Sequence, residues 1–308
     1  MQEFELCTYI GSRAILKMCN RKSDIPVPDF DGLNPSIYKN LEPYEILHVC
    51  PQALRNFVNK VLPDIKTPFI LVTNNSDWTI PDDVQAEFNE LIDHPLLVHW
   101  FSQNCIIEHP KITKVPIGLD YHSMTPSRQK QFAWSPPEMH PWGPKVSPLK
   151  QEEELIMFRL NSKPFFERQV KAYANFHFLM TTRYGKVDRV DAFNTVPKDL
   201  VFYEPRKCYR KESWEKMVQY AFVISPHGNG LDCHRTWEAL CLGCIPIIKT
   251  SGLDSLYDDL PVWIVSEWSE VTEENMREKI NGFRLRQFNY GKLTTDYWKA
   301  LYRYEQAH

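Results

Sequence analysis

At 308 residues, with 43% hydrophobic and 24% charged side chains, the chain is long enough for two ordinary domains. A net charge of −3 with both signs interspersed excludes bulk electrostatic attraction to nucleic acid. No run approaches 18 consecutive apolar residues, and residues 1–10 lack a basic stretch ahead of an apolar one, so neither membrane insertion nor a secretory signal is expected.

In chain order, a strand is expected over 4–10, then a proline-rich loop over 26–43. A strand over 44–49 and a helix over 51–61 follow, the helix opening on Pro51 with Leu54, Phe57, Val58 and Val61 at helical spacing. The run TPFILVT, 67–73, reads as a parallel strand buried on both faces. It ends in the polar cluster Asn74, Asn75, Ser76, Asp77 and Trp78. A helix over 81–93, a strand over 96–102 and a strand over 114–119 come next, the last ending in Asp120, Tyr121 and His122. Six of the 23 prolines lie between 126 and 148, marking an interdomain crossing with a helix expected over 127–134. The second half is read as a strand over 155–160, a helix over 165–174, a strand over 176–181, a short segment over 200–203 and a helix over 213–220. A strand over 262–265 and helices over 272–283 and 295–305 complete it.

This alternation predicts an α/β fold of two facing Rossmann-like domains with a cleft between them. The expected domains are 1–145 and 150–285, with the proline-rich crossing 126–148 between them. The C-terminal helical segment 286–308 is expected to pack back on the first domain. Ligands of such sheets lie outside the carboxyl ends of the strands, where the 74–78 and 120–122 clusters fall.

The most informative stretch is 220–249, YAFVISPHGNGLDCHRTWEALCLGCIPIIK. It reads as strand, tight loop (Ser225, Pro226, His227, Gly228, Asn229, Gly230), short helix and strand. The chain has only 11 glycines, and Gly228, Gly230, Gly243 and Gly252 crowd into this region. A loop feeding a helix N-terminus offers backbone N–H groups to phosphate. On the helix, His234, Arg235 and Glu238 share one face, and Cys233, Trp237, Leu240, Cys241 and Cys244 form an apolar stripe expected to face the sheet. Arg235 and Glu238 would serve equally as a solvated ion pair or as contacts to a diphosphate and a ribose. Cys241 and Cys244 form a C-x-x-C without a second pair, and are read as small apolar residues. The eight cysteines are expected as reduced thiols, in a cytoplasmic setting.

The elements Ser225-Pro226, Gly228 to Gly230, Arg235-Thr236-Trp237-Glu238-Ala239 and Gly243-Cys244-Ile245-Pro246, followed by Leu260-Pro261-Val262-Trp263 and Ser266-Glu267-Trp268, resemble the signature of exostosin-like glycosyltransferases. The match covers roughly residues 200–285. The segment Trp78-Thr79-Ile80-Pro81 and the compact size look like small members encoded by giant double-stranded DNA viruses, some thought to be xylosyltransferases building capsid-protein glycans. That resemblance implies a GT-B fold, a nucleotide-sugar donor, UDP-xylose among the candidates, a glycan hydroxyl acceptor and inversion at the anomeric carbon. It gives a donor site of Ser225, His227, Gly228, Asn229, Gly230, His234, Arg235 and Glu238. Arg159, Asn161 and Arg183, near expected strand ends, are added to it. Acceptor contacts are expected from Asn75, Trp78 and Tyr121, and the base from Asp77, with Asp120 and His122 as alternatives. No Asp-x-Asp motif ends a strand, so the expected transfer needs no metal and no cofactor beyond the sugar nucleotide. A binding protein without activity on the same fold is the alternative.

Overall fold

The computed structural model describes residues 6–22, 33–123 and 139–304. Its first sheet is fully parallel, with β1 (Glu45–His48), β2 (Phe69–Thr73), β3 (Leu97–Gln103) and β4 (Ile112–Val115) side by side in chain order. Such neighbours need crossovers, and α1 (Leu54–Lys60) and α2 (Gln85–Ile92) supply the first two. When strand order never reverses, right-handed crossovers put these helices on the same face. There Phe57, Phe88 and Leu91 pack on Leu47, Phe69, Leu71 and Trp100.

A two-residue hairpin, β5 (Met139–His140) with β6 (Gly143–Pro144), leads into α3 (Pro148–Leu160). The second sheet holds β7 (Gln169–Ala174), β8 (Val201–Tyr203), β9 (Tyr220–Ile224), β10 (Ile245–Lys249) and β11 (Trp263–Val265), all parallel. Its spatial order, β11-β10-β9-β7-β8, is the doubly wound order 2-1-3-4-5 read from the other edge. The order reverses between β7 and β9, which opens a crevice at their carboxyl ends. Helices cover both faces. On one, α4 (Gly185–Thr195) contributes Ala192 and α7 (Glu273–Arg284) Met276 and Ile280, against Phe222, Ile224, Ile245 and Ile247. On the other, Trp214 of α5 (Arg210–Met217) and Trp237 of α6 (His234–Cys241) share a core with Tyr173 and Val223.

One consequence of unreversed order in the first sheet is that Ile46, Ile70, Val72 and Phe101 face away from its own crossover helices. The 3-10 turn Ala14–Met18 and the terminal helix α8 (Thr295–Tyr304) cover them. The Tyr302 ring centroid lies 3.7 Å from that of Phe101. Trp298 and Tyr302 are almost fully buried, and each such side chain contributes roughly 2–3 kcal/mol. The chain end is thus held by the half where the chain begins, and Thr295 N–H donates to the Thr8 carbonyl at 2.9 Å.

Several local expectations need correction. Residues 155–160, expected as a strand, close helix α3, which is capped by Ser147, whose hydroxyl accepts from Lys150 N–H. The apolar run LIMFRL misleads because Met157 and Leu160 point to solvent while Leu155 alone is fully buried. Residues 169–174, expected as helix, are strand β7, and the strand expected over 176–181 is a 3-10 turn, Phe176–Phe178, with a loop. Short apolar runs carry no period that separates helix from strand. Helix α4 was not expected, since its buried positions Gly185, Asp188, Arg189 and Ala192 keep helical spacing with little apolar character. Residues 6–10 make only an isolated bridge, Tyr9 to Thr294, instead of a strand. The helix expected over 127–134 lies outside the described residues.

Candidate functional site

A cavity of about 900 Å³ lies between the carboxyl ends of the two sheets. Its walls meet where the loop after β9 touches the loop after β2. A Cβ on Gly230 would lie 2.9 Å from Asn104 Nδ2 and 3.3 Å from Asp77 Cα, so only glycine allows this approach. A Cβ on Gly228 would lie 2.7 Å from an Arg189 terminal nitrogen. These two glycines therefore have distinct tasks: one seats the opposite loop, the other admits a guanidinium.

That guanidinium belongs to α4. Arg189 donates through Nε to the His227 carbonyl at 3.0 Å and through Nη1 to the Leu179 carbonyl at 2.6 Å, with no carboxylate among its hydrogen-bond partners. Arg235, on α6, donates through Nε to Asn175 Oδ1 at 3.0 Å, at the carboxyl end of β7. Its Nη1 is buried and has no partner among the described residues. Burial, reinforced by the Arg189 charge, pushes the Arg235 guanidinium down to about 10. Glu238 lines the same wall one turn later, 3.6 Å from Arg210 Nε, and burial raises its carboxyl. His234 donates from Nδ1 to the Gly118 carbonyl at 2.6 Å, across to the first half. The helix divides into a stripe that lines the cavity, His234, Arg235 and Glu238, and a core stripe of Trp237, Leu240 and Cys241. Cys233 departs from the expectation: it lines the cleft, its thiol toward the Pro226 carbonyl.

The facing wall is shaped from β3. Gln103 accepts from Asn75 N–H at 3.0 Å and donates to the Ser76 carbonyl at 2.7 Å, and Asn104 donates to the same carbonyl. Asp77 projects from this loop and is solvent-accessible within the cleft. The protein mass around it raises its carboxyl, an effect His234 opposes. Asp120 is different. Its Oδ1 lies 2.9 Å from His122 Nδ1 and accepts from Ser123 N–H, and Oδ2 faces Arg210 at 3.7 Å. Although burial raises it, His122, His234 and Arg210 together hold the carboxyl well below the usual range. His122 Nδ1 also lies 3.0 Å from Ser12 Oγ. Trp142 caps the mouth, with Arg210 4.9 Å from its ring centre.

Of the residues anticipated from sequence, Asp77, Asp120, His122, Asn75, Trp78, Arg183, Gly228, Asn229, Gly230, His234, Arg235 and Glu238 line one cavity. Five do not. Ser225 is buried against Thr236, hydroxyl to hydroxyl at 2.9 Å. His227 turns under the loop, its Nδ1 3.2 Å from Asp188, while its backbone N–H donates to the same carboxylate at 2.8 Å. Tyr121 donates to Glu152 at 3.1 Å beneath the wall. Arg159 and Asn161 sit at the end of α3, Arg159 beside Gly243, because the strand that would have aimed them at the cleft is a helix. Arg183 forms an ion pair with Asp83 that links the two halves.

Sequence reasoning missed Arg189, Asn175, Arg210 and Asp232. Asp232 is a buried pin: it accepts from Ile117 N–H at 2.7 Å, Trp237 Nε1 at 2.9 Å and Tyr257 hydroxyl at 2.9 Å, while its own N–H donates to Asn104. Its place two residues past the glycine loop was the available signal. Arg189 and Arg210 lie in polar helices that gave none. Cys241 and Cys244 are buried, Cys244 accepting from Arg168, and all eight cysteines are free. No helix among the described residues is long and apolar enough to cross a membrane, and no cluster of three potential metal-ligating side chains occurs among them. The chain matches no protein-family model and no curated protein sequence.

Proposed function

We propose that the protein is an inverting glycosyltransferase of the exostosin-like, GT-B kind, taking a sugar from a nucleoside diphosphate, UDP in the first instance, to a glycan hydroxyl. The observation that carries this reading is the Arg235 guanidinium, whose Nη1 has no partner among the described residues, beside Arg189 at the crevice where the strand order reverses. Buried Arg189 and half-buried Arg235, neither hydrogen-bonded to a carboxylate among the described residues, form a site for an anion, and a diphosphate spans two guanidiniums. Glu238, one turn along, is positioned to accept from ribose hydroxyls. As the sugar departs, negative charge grows on the diphosphate, where preorganised donors supply much of the rate. The acceptor approaches from the 74–78 and 120–122 wall, and its proton goes to Asp77, Asp120 or His122.

A thermal-shift panel of UDP-xylose, UDP-glucose, UDP-galactose, UDP-N-acetylglucosamine and GDP-sugars, with and without EDTA, tests the donor site. Stabilisation by at least one UDP-sugar, unchanged by EDTA, supports the reading. A panel with no shift removes it. A protein that binds but neither transfers nor hydrolyses is the binding-only alternative.

A further inference from the structure

Resting on the glycosyl-transfer reading, we infer that His122 is the base that takes the acceptor proton and that Asp120 is its positioning residue. The argument begins with hydrogen placement. A carboxylate oxygen lies 2.9 Å from His122 Nδ1, and two lone pairs cannot face each other at that distance, so Nδ1 carries hydrogen. Neutral imidazole then bears its lone pair on Nε2. That nitrogen has no partner among the described residues, and His122 lines the cleft, so the lone pair is left to the cavity.

This geometry excludes a nucleophilic serine. In a Ser-His-Asp triad the hydroxyl and the carboxylate use opposite ring nitrogens. Here Ser12 Oγ and Asp120 Oδ1 both approach Nδ1, so Ser12 helps fix the ring and receives no activation. Asp120 itself is a poor proton acceptor, since both oxygens are engaged by His122, Ser123 and Arg210. Its role is to hold the tautomer, as a buried carboxylate does behind a catalytic imidazole.

Charged and titratable groups reach His122 from each side: Asp120 on its own loop, Arg13 from the N-terminal turn and His234 from α6, with Arg210 of α5 behind Asp120. Burial outweighs the Asp120 attraction and holds the imidazole below its ordinary value of 6.5. It is therefore neutral, and a base, at neutral pH. In the step itself, the acceptor oxygen bonds to the anomeric carbon as the bond from that carbon to the diphosphate oxygen breaks. The diphosphate leaves with the electron pair, and the acceptor proton moves to Nε2 of His122.

Release of UDP from the best-stabilising UDP-sugar, with methyl glycosides as acceptors, tests this across roughly pH 5 to 9. In wild type the rate falls on the acid side as His122 protonates. His122→Gln is expected to bind UDP with wild-type affinity by calorimetry, lose roughly 10²–10⁴ in kcat and lose the acid limb. Added imidazole partly restores His122→Ala. Asp120→Asn removes the charge that favours protonated His122, so its acid limb moves to lower pH, which a purely structural role would not produce. A His122→Gln protein that keeps its rate and acid limb overturns the base assignment and leaves the donor site standing. Wild type that binds no nucleotide overturns both.

Discussion

Replacing Arg235 with methionine should make the unliganded protein more stable and its nucleotide binding much weaker. The buried Nη1 has no acceptor among the described residues, and an unsatisfied buried donor costs about 1–3 kcal/mol, more for a charged group. Methionine keeps most of the apolar stem and removes that donor together with the repulsion from Arg189. The loss on the other side is the Nε bond to Asn175, worth about 1 kcal/mol, with the freed amide oxygen left beside the open cleft. The net gain is about 1–2 kcal/mol, which for a chain of this size raises Tm by roughly 1.5–3 °C. Binding moves the opposite way. Losing one charge-assisted hydrogen bond to diphosphate costs about 1.5–3 kcal/mol, roughly 10- to 150-fold in Kd. Differential scanning calorimetry of the unliganded proteins and titration calorimetry with UDP give both quantities. A destabilised variant with wild-type UDP affinity would refute the reasoning, because Arg235 would then be a structural cation.

Other expectations follow from the same geometry. Gly230→Ala places a methyl 2.9 Å from Asn104 Nδ2 and 3.3 Å from the Asp77 backbone, so the facing loops must part; denaturation in urea should show a loss of about 1–3 kcal/mol, with weaker UDP binding. Asp232→Asn replaces one carboxylate oxygen by an amide N–H₂ that faces Trp237 Nε1 and either Ile117 N–H or the Tyr257 hydroxyl, and a loss of about 1–3 kcal/mol in the same assay is expected. His48 is buried, donates to Asn74 at 2.8 Å, and has its imidazole pushed down to about 4 by burial. The unfolded chain therefore binds a proton that the folded one refuses between pH ~6.5 and ~4, so stability is lost as pH falls through that window, by about 3 kcal/mol in all. His48→Gln should flatten that part of the stability curve while keeping its acid loss elsewhere. An unchanged slope would show that His48 is not its source.

The larger architecture was legible because parallel strands buried on both faces write themselves as apolar runs, as in FILVT of β2 and YAFVI of β9. The glycine loop was legible for a related reason: Gly228 and Gly230 stand where another group passes too close for a side chain. What failed was anything held by long-range polar contacts. Arg189 and Asp188 form the buried face of α4, yet in sequence they look like a solvated surface. Arg210 resembles any helix-opening arginine until Asp120, Gln151 and Trp142 close around it from distant segments. Arg159 failed differently, through a misread element, since the residues expected as a strand end helix α3 and set it beside Gly243 instead of at the cleft. His122 was visible as a strand-end histidine. Its relation to Asp120 and Ser12 required the fold, because Ser12 arrives from more than a hundred residues away.

Transfer itself tests the central claim most directly. Wild-type protein is incubated with a stabilising α-linked UDP-sugar and a panel of methyl glycosides, and the products are followed by proton NMR. Stoichiometric release of UDP with a new β-glycosidic linkage is the predicted result. Tight UDP-sugar binding with neither hydrolysis nor a new linkage would contradict it and leave a binding protein in its place.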